Sequence, residues 1–375
     1  MFNKRVVSLL LVLVMLLSVF AGCTPKEQPA KDDAKTEEKK EDVKEDKKEE
    51  PKEEDKKEEP AGDKKNVSVF YYNYGDTYIS TVRNAFTELV KGDANVELTE
   101  YDGQNDQAKQ NDQIDVAIQK GANVLVVNIV DFGAADIVID KAKAAGIPII
   151  FFNREPTDGN VYKSYDKARF VGTKIEEAGV LQGQLIKAYW EEGNHDRNGN
   201  GKLDYVLLHG GIENAEAVAR SKYSVEELEK AGIEVNKIAE QIADWDNAKA
   251  LTAMESWLAK DLDNIDVVIA NNDGMAIGAL TALQAAGLNQ VVDGKIDPAK
   301  YVGVFGVDAT EEAQKVINDL AMTGTVKQDP DAMAKAMHLM TMNSLEGKEF
   351  IEGTDYKYDE SGIAVRIPYL PYEAK

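Results

Sequence analysis

The 375-residue chain contains one cysteine, Cys23, and three histidines. A lone cysteine cannot form an internal disulfide, so the fold cannot rest on a disulfide framework. The histidines, His195, His209 and His338, lack a serine or cysteine partner at a recognised catalytic motif. G-x-G-x-x-G and Walker patterns are also absent, which disfavours nucleotide binding. These absences argue against nucleophilic catalysis and against a nucleotide cofactor.

The chain also has fewer positively charged residues than negatively charged ones. Lysine and arginine number 44 against 67 aspartates and glutamates, which leaves a formal net charge of −23. Such a chain is a poor partner for nucleic acid, and an anionic membrane surface would repel it. Any attachment to a membrane therefore requires an anchor. With 43% hydrophobic residues, the chain is long enough for two domains with separate cores.

Residues 1–22 have the features of a signal peptide. A short basic start precedes an apolar run over residues 6–20, which falls short of the about 20 residues that span a bilayer. The run ends in Ala-Gly-Cys at Cys23, and residues 20–23 resemble a bacterial lipobox. This resemblance implies that Cys23 is lipidated and holds the protein on the outer face of the cell membrane. The alternative is an ordinary cleaved signal with an incidental cysteine.

The segment that follows, which with Cys23 makes up residues 23–65, is dominated by Lys, Glu and Asp and has no aromatic residue. A segment of this composition cannot bury enough apolar surface to offset its ordering entropy. We expect it to be a disordered, solvated tether.

From residue 66 onward, apolar strand-like runs alternate with amphipathic helical patterns. The predicted strands are residues 67–72, 96–101, 124–130, 147–152, 169–171, 205–209, 267–270 and 301–307. The predicted helices are residues 78–90, 107–120, 134–145, 179–190, 215–231, 245–260 and 275–286. This alternation predicts parallel sheets covered on both faces, and the number of strands predicts two doubly wound α/β lobes that meet near residue 171.

Polar side chains follow several of the predicted strands. They are Asp76 after the first strand, then Asn153, Asn271, Asn272, Asp273 and Asp308. Ligands of open parallel sheets bind at the carboxyl ends of the strands, and amides and carboxylates satisfy the hydroxyl groups of a neutral sugar. Tyr78 and Trp245 are candidates for stacking on a pyranose. Each residue also has an ordinary alternative as a turn former, a helix cap or a packing aromatic.

Residues 196–204 match the first nine positions of an EF-hand calcium loop. The predicted ligands are Asp196, Asn198, Asn200, the carbonyl of Lys202, and Asp204. Gly201 permits the sharp turn of such a loop. Leu207 occupies the twelfth position, where a bidentate glutamate is usual, so a carboxylate has to come from elsewhere in the chain. The predicted role of calcium is structural, and the alternative is a Gly/Asn-rich surface loop.

Four stretches carry a family resemblance. They are residues 104–116 (QNDQAKQNDQIDV), 151–156 (FFNREP), 267–273 (VVIANND) and 305–309 (FGVDA). They resemble the bacterial galactose/glucose-binding proteins of the periplasmic binding protein type I family. The resemblance extends from residue 66 to about residue 370. It implies an α/β fold in which two Rossmann-like lobes are joined by a three-stranded hinge, with a sugar held between them.

The resemblance also implies domain boundaries and partners. The first lobe would comprise residues 66–171 plus 330–364, and the second lobe residues 172–329 plus 365–375. The implied protein is a monomer that binds D-galactose or D-glucose and delivers it to the permease of an ABC importer, with no enzymatic activity. Binding of another aldose, or presentation of sugar to a chemoreceptor, remains an alternative.

Site residues follow from matching the family motifs position by position. Matches to the family's sugar contacts are Asp76, Asn153, Arg220, Trp245, Asn272 and Asp308, with Tyr78 in place of a stacking phenylalanine. The chain departs from the family at Asn214, Glu216 and Gln328, where histidine, aspartate and asparagine are expected. These departures retain hydrogen-bonding groups, but they put the preferred hexose in doubt. The missing calcium carboxylate falls on Asp266, which is shorter than the family's glutamate.

Two further classes of protein are disfavoured by the residues. Glu216 and Asp308 could be imagined as a glycosidase pair, but such enzymes rarely use a scaffold of two doubly wound lobes. A LacI-type regulator shares the fold, but it requires a helix-turn-helix head with a basic recognition helix. A signal peptide and an acidic tether stand in that place here.

Overall fold

A computed structural model describes residues 64–156, 158–260 and 264–372. The predicted signal peptide, Cys23 and nearly all of the predicted tether therefore lie outside the described residues. Within the described ranges, no helix combines the length and the apolar character needed to cross a bilayer.

The first lobe is built on a fully parallel sheet. Its described strands, in spatial order, are β13 (Ala364–Arg366), β5 (Ala168–Gly172), β4 (Ile149–Phe152), β3 (Val124–Val127), β1 (Lys65–Tyr71) and β2 (Val96–Asp102). Helices α1 (Thr77–Lys91) and α9 (Pro330–Leu345) cover one face, and α2 (Gln107–Gln119) and α3 (Ala135–Ala145) cover the other. The strands of the centre are apolar and buried because both faces are covered.

The second lobe repeats this plan. Its sheet contains β14 (Leu370–Pro371), β12 (Gly324–Lys327), β11 (Gly303–Asp308), β8 (Val267–Ala270), β6 (Leu203–His209) and β7 (Val235–Ile242), with β14 antiparallel and the rest parallel. Its helices are α4 (Ile175–Glu191), α5 (Ala215–Lys230), α6 (Asn247–Leu258), α7 (Asp273–Ala285) and α8 (Glu311–Asn318). A small hairpin of β9 (Val291–Val292) and β10 (Lys295–Ile296) precedes β11.

Within the described ranges the chain passes between the lobes three times: from β5 to α4, from β12 to α9 and from β13 to β14. This arrangement confirms the predicted class of two doubly wound lobes joined by a three-stranded hinge. One predicted boundary is wrong. Residues 365–375 were assigned to the second lobe, but Val365 and Arg366 pair with β5 in the first sheet, so the third crossing begins after Arg366.

Several elements escaped the prediction from sequence. Strand β7 lies at the edge of its sheet and none of its residues is buried, so it shows no apolar run. Helix α9 buries mainly alanine and methionine, which gives a weak helical pattern of hydrophobicity. The strand β12, with the sequence GTVK, has four residues and only one large apolar residue among them. The helix α8 has eight residues, a short stretch in which to recognise a helical pattern.

Candidate ligand site between the lobes

The ten predicted sugar contacts all line one cavity between the lobes. They are Asp76, Tyr78, Asn153, Asn214, Glu216, Arg220, Trp245, Asn272, Asp308 and Gln328. The space between the protein atoms at this cavity, which includes open solvent, amounts to about 500 Å³. The first three residues follow strands of the first lobe, and Gln328 lies on the second crossing. The others belong to the second lobe, so the cavity takes side chains from both halves of the molecule.

Three of these residues begin helices that point at the cavity. The Oδ1 atoms of Asp76, Asn214 and Asn272 accept the backbone N–H groups of Ile79 (2.8 Å), Ala217 (3.1 Å) and Met275 (2.9 Å). They are therefore the N-caps of α1, α5 and α7. The helix-cap interpretation is confirmed for all three residues. Each cap also lines the cavity, so the cap role is compatible with the predicted role in ligand binding.

Arg220 is the most densely bonded side chain of the site. Its Nη1 donates to the carbonyl of Asn271 at 2.7 Å. Its Nη2 donates to Glu216 Oε2 (3.0 Å), Gln328 Oε1 (3.0 Å) and the Tyr369 hydroxyl (2.7 Å). Burial lowers the pKa of Arg220, but the neighbouring Tyr369, Glu216 and Asp308 outweigh this effect and raise the pKa above its ordinary value. The guanidinium is held as a cation with a fixed orientation.

Within the described residues, four buried polar atoms of the cavity lining have no hydrogen-bond partner. They are Tyr78 Oη, Arg220 Nε, Asp308 Oδ2 and Gln328 Nε2. An unsatisfied buried donor or acceptor costs about 1–3 kcal/mol, so such groups rarely gather by chance. Two of the side chains, Tyr78 and Asp308, come from opposite lobes. A polar ligand placed between the lobes would satisfy these groups.

The backbone at the site adopts unusual conformations. Asn153, Trp245 and Asp308 have positive φ angles of 58°, 63° and 129°. Non-glycine residues seldom adopt such angles, and strain of this kind clusters at binding sites. The indole of Trp245 lies close over Gly210, where an added Cβ would come within 2.4 Å of the ring. The glycine therefore allows the aromatic ring to lie flat against the backbone.

Two carboxyl groups at the cavity are buried: Asp308 lines the cavity, and Asp273 lies behind the lining. Burial raises the pKa of Asp308 well above its usual value, against the opposing effect of Arg220. Burial also raises the pKa of Asp273 to about 7, although hydrogen bonds from Thr325 and Thr310 oppose the shift. Asp273 Oδ1 accepts from Thr325 Oγ1 at 2.6 Å, and Asp273 Oδ2 accepts from the backbone N–H of Thr310 at 2.8 Å. Asp273 does not line the cavity.

Sequence reasoning missed several residues of the site. Arg154 lines the cavity with its guanidinium between the rings of Tyr72 (4.2 Å) and Phe132 (4.3 Å). Its position directly after Asn153 at a strand end was a usable signal. Tyr369 and Thr173, which contact Arg220 and Glu216, lie on the crossings between the lobes. No periodic pattern marks such short segments.

The predicted calcium loop is brought together with Asp266. Asp266 Oδ1 accepts the backbone N–H of Arg197 (2.8 Å) and its Oδ2 accepts that of Asp204 (2.9 Å). Asp196 accepts three loop N–H groups, from Gly199, Asn200 and Gly201. The amides of Asn198 and Asn200 donate to Asp204 Oδ2 at 2.6 and 2.9 Å. The side chains predicted to bind calcium thus surround one short loop.

The fit of this loop to a cation is partial. Burial raises the pKa of Asp266 to about 6, with the carboxylates of Asp204 and Asp196 adding to the shift. None of the ion pairs among the described residues involves these three carboxylates. In the described part of the chain, however, no group of three or more His, Cys, Asp or Glu side chains is arranged to hold a metal. Calcium binding therefore requires the Asn198 and Asn200 amides to turn their oxygens inward.

The fold and the cavity define a two-lobed protein that holds a ligand between hinged halves. A sequence model described as a periplasmic binding protein domain matches residues 67–349. The chain belongs to this family. Its members are solute-binding proteins of ABC transport and not enzymes, and they act outside the cytoplasm.

Three similar proteins agree with this assignment. The D-galactose/methyl-galactoside binding periplasmic protein of Haemophilus influenzae is 37% identical over 81% of this chain and 88% of its own length. The ribose import binding protein of Bacillus subtilis is 28% identical over 72% and 81% of the two chains. A solved ABC transporter solute binding protein from Bacillus halodurans, with bound myo-inositol, is 25% identical with a TM-score of 0.67 and covers 84% and 96%.

The buried acid Asp273 predicts a pH dependence of stability. Its folded pKa of about 7 lies above the ordinary 3.8, so between these pH values the folded state binds a proton that the unfolded chain has released. Relative to Asp273→Asn, the wild-type protein should therefore lose free energy of unfolding as the pH rises from about 4 to about 7. Urea unfolding across this range measures both proteins, with the exposed Asp112→Asn as the charge-matched control. Parallel profiles for wild type and Asp273→Asn would contradict the prediction.

Proposed function

We propose that this protein binds a monosaccharide, D-galactose or D-glucose, between its two lobes and delivers it to an ABC importer. One observation carries the proposal: Tyr78, Arg220, Asp308 and Gln328 have polar atoms without partners among the described residues, around one cavity that Trp245 also lines. Polar groups that converge beside an aromatic ring suit a pyranose, which has hydroxyl groups at its rim and an apolar face.

The charges of the site favour a neutral ligand. The cation Arg220 is paired with Glu216 at 3.0 Å, and Arg154 donates to the carbonyls of Ile129 and Val130 at 2.7 and 2.9 Å. Asp76 accepts from the Tyr72 hydroxyl at 2.5 Å. Because the charged groups are satisfied mainly by the protein, the atoms left for a ligand are a mixture of donors and acceptors. A polyhydroxylated sugar supplies both.

We propose galactose or glucose for two reasons. The family motifs point to them, and the galactoside-binding relative matches at higher identity than the ribose-binding relative. The identity of the sugar is decided by contacts at individual hydroxyl groups. Asn214, Glu216 and Gln328 line the cavity where the family pattern has histidine, aspartate and asparagine. A hydroxyl that left one of these groups unpaired would cost about 1–3 kcal/mol, or roughly tenfold to a hundredfold in affinity.

The proposed mechanism is hinge closure. Asp76, Tyr78 and Asn153 approach the sugar from the first lobe, and Arg220 and Trp245 approach it from the second. A ligand that contacts both lobes binds the closed form more tightly than the open form, and it shifts the population toward closure by that difference. The transporter would then recognise the paired surfaces of the closed lobes.

Replacing Trp245 tests the placement of the sugar. Trp245→Ala should raise the Kd about 30-fold or more, because truncation of a central aromatic anchor costs at least about 2 kcal/mol. Calorimetric titration against a panel of aldoses measures this, and wild type should bind galactose or glucose most tightly. Trp190→Ala, which removes a tryptophan outside the cavity, is the matched control. An unchanged Kd for Trp245→Ala, or tighter binding of a pentose by wild type, would count against the proposal.

We also propose that the loop of residues 196–204 binds a structural calcium ion. Asp196, Asn198, Asn200, the Lys202 carbonyl, Asp204 and Asp266 would supply the oxygen ligands. Support comes from the carboxylates of Asp196, Asp204 and Asp266, which lie around one loop, and from the burial of Asp266, which penalises its charged form. A divalent cation would remove that penalty and the repulsion among the carboxylates. The ion would brace the loop and take no part in sugar binding.

Removing one ligand tests the calcium site. Asp196→Ala should lower the Tm relative to wild type when calcium is present, because binding to the folded state alone stabilises it. With a chelator present, the Tm difference between the two proteins should shrink to the part caused by the loss of the loop hydrogen bonds that Asp196 accepts. Differential scanning calorimetry with and without calcium measures both states, with the exposed Asp112→Ala as control. A wild-type Tm that does not respond to calcium would contradict this assignment.

We further propose that Cys23 is lipidated and anchors the protein. The support is the lipobox-like sequence and the charged tether, since a net charge of −23 would not favour an anionic membrane. Cys23→Ser should move the protein from the membrane fraction to the soluble fraction of cells expressing it and abolish labelling by a fatty-acid analogue. Ser18→Ala, within the apolar run, is the control. Membrane retention of the unlabelled Cys23→Ser protein would overturn the proposal.

A further inference from the structure

Residues from all three crossings converge on one ion pair at the base of the cavity. Thr173, on the first crossing, donates from Oγ1 to Glu216 Oε1 at 2.5 Å. Gln328, on the second, accepts from Arg220 Nη2 at 3.0 Å. Tyr369, on the third, accepts from the same Nη2 at 2.7 Å. The Arg220–Glu216 pair on α5 therefore contacts each segment on which the lobes pivot.

The crossings are also tied to one another. Thr173 Oγ1 lies 3.3 Å from the Tyr369 hydroxyl, and the Thr173 carbonyl accepts from Arg366 Nη1 at 2.9 Å. Arg366 in turn pairs with Glu155 through both terminal nitrogens at 2.7 Å. Thr173 thus bonds through its hydroxyl to the second lobe and through its carbonyl to Arg366 at the edge of the first sheet. A hinge rotation that moves these segments changes the bonds of Arg220.

Tyr369 differs from Glu216 and Gln328, the other two partners of Arg220 Nη2. Those two residues line the cavity, whereas Tyr369 is 5% exposed and is not part of the lining. Its ring also lies 5.6 Å from the Arg220 guanidinium carbon. The remaining hydrogen-bonding atom of Arg220, Nε, is buried without a partner among the described residues. Because the guanidinium is planar, the bond from Nη2 to Tyr369 contributes, with those to Glu216 and Gln328, to fixing the direction of Nε.

We propose that Tyr369 is a positioning residue that orients Arg220 for the ligand and couples this orientation to the third crossing. It acts through Arg220 and not on the ligand, so it is absent from the predicted sugar contacts. The proposal rests on the proposed sugar-binding function, because it assigns a role to a residue behind that site. It predicts that loss of one hydroxyl outside the cavity weakens ligand binding.

Tyr369→Phe tests the proposal because it removes the hydroxyl and keeps the ring. The Kd for the bound aldose should rise about tenfold, because Arg220 is then less ordered before binding and has to be ordered when the ligand binds. The Tm of the ligand-free protein should also fall, because the lost hydrogen bond is present without a ligand. In the Arg220→Lys background the same change should add less than in wild type, because the two residues act as a unit. Tyr162→Phe is the matched control, since its buried hydroxyl has no partner in the described residues.

A second measurement does not require a sugar. Nitrogen-15 NMR of the arginine side chains in ligand-free protein should show faster rotation of the Arg220 guanidinium in Tyr369→Phe than in wild type or Tyr162→Phe. Unchanged rotation of Arg220, or an unchanged Kd for Tyr369→Phe, would overturn the inference. If wild type bound none of the aldoses, the proposed function would fail, and the Arg220 signal alone would decide the role of Tyr369.

Discussion

The buried charge of Arg220 is the constraint on which the ligand site depends. A guanidinium removed from water is tolerated when its donors are satisfied and its charge is matched. Its partners here come from α5, from the segment after β8 and from the second and third crossings. Asp308, at the end of β11, adds a carboxylate at 3.8 Å. Correct folding of the second lobe and correct placement of the crossings are therefore needed together before the cavity exists.

This dependence explains why Arg220 has a fixed orientation while other atoms of the cavity lining lack partners among the described residues. The protein satisfies most donors of Arg220, which fixes the guanidinium, yet it leaves Nε and the neighbouring Asp308 Oδ2 without partners in the described residues. The hydroxyl of Tyr78, from the first lobe, also has no hydrogen-bond partner among the described residues. Hydrogen bonds to other atoms of the site hold the atoms without partners in place. The entropic cost of ordering the site therefore falls on folding and not on ligand binding.

A simple rule applied to the sequence located several second-lobe residues of the cavity lining. Parallel strands end at one edge of a sheet, so Asn272 and Asp308, which follow β8 and end β11, had to be neighbours. Arg220, Asn214 and Glu216 depended on the family motifs, since helix α5 alone does not reveal a binding face. Tyr369 was out of reach, because its position depends on a crossing of three residues between two sheets. Asp266 likewise lies 62 residues from Asp204 and could not be linked to the loop by local spacing.

The dual use of helix caps has a consequence for how selectivity can change. Asp76, Asn214 and Asn272 each hold a helix N-terminus with one oxygen while lining the cavity. Loss of such a cap costs about 0.5–2 kcal/mol of stability. Altering the sugar preference at these positions therefore weakens the scaffold at the same time, and only residues that can still accept a backbone N–H are tolerated. Tyr78 caps no helix, and its hydroxyl has no partner among the described residues, so evolution or engineering toward a new ligand has freer choice at that position.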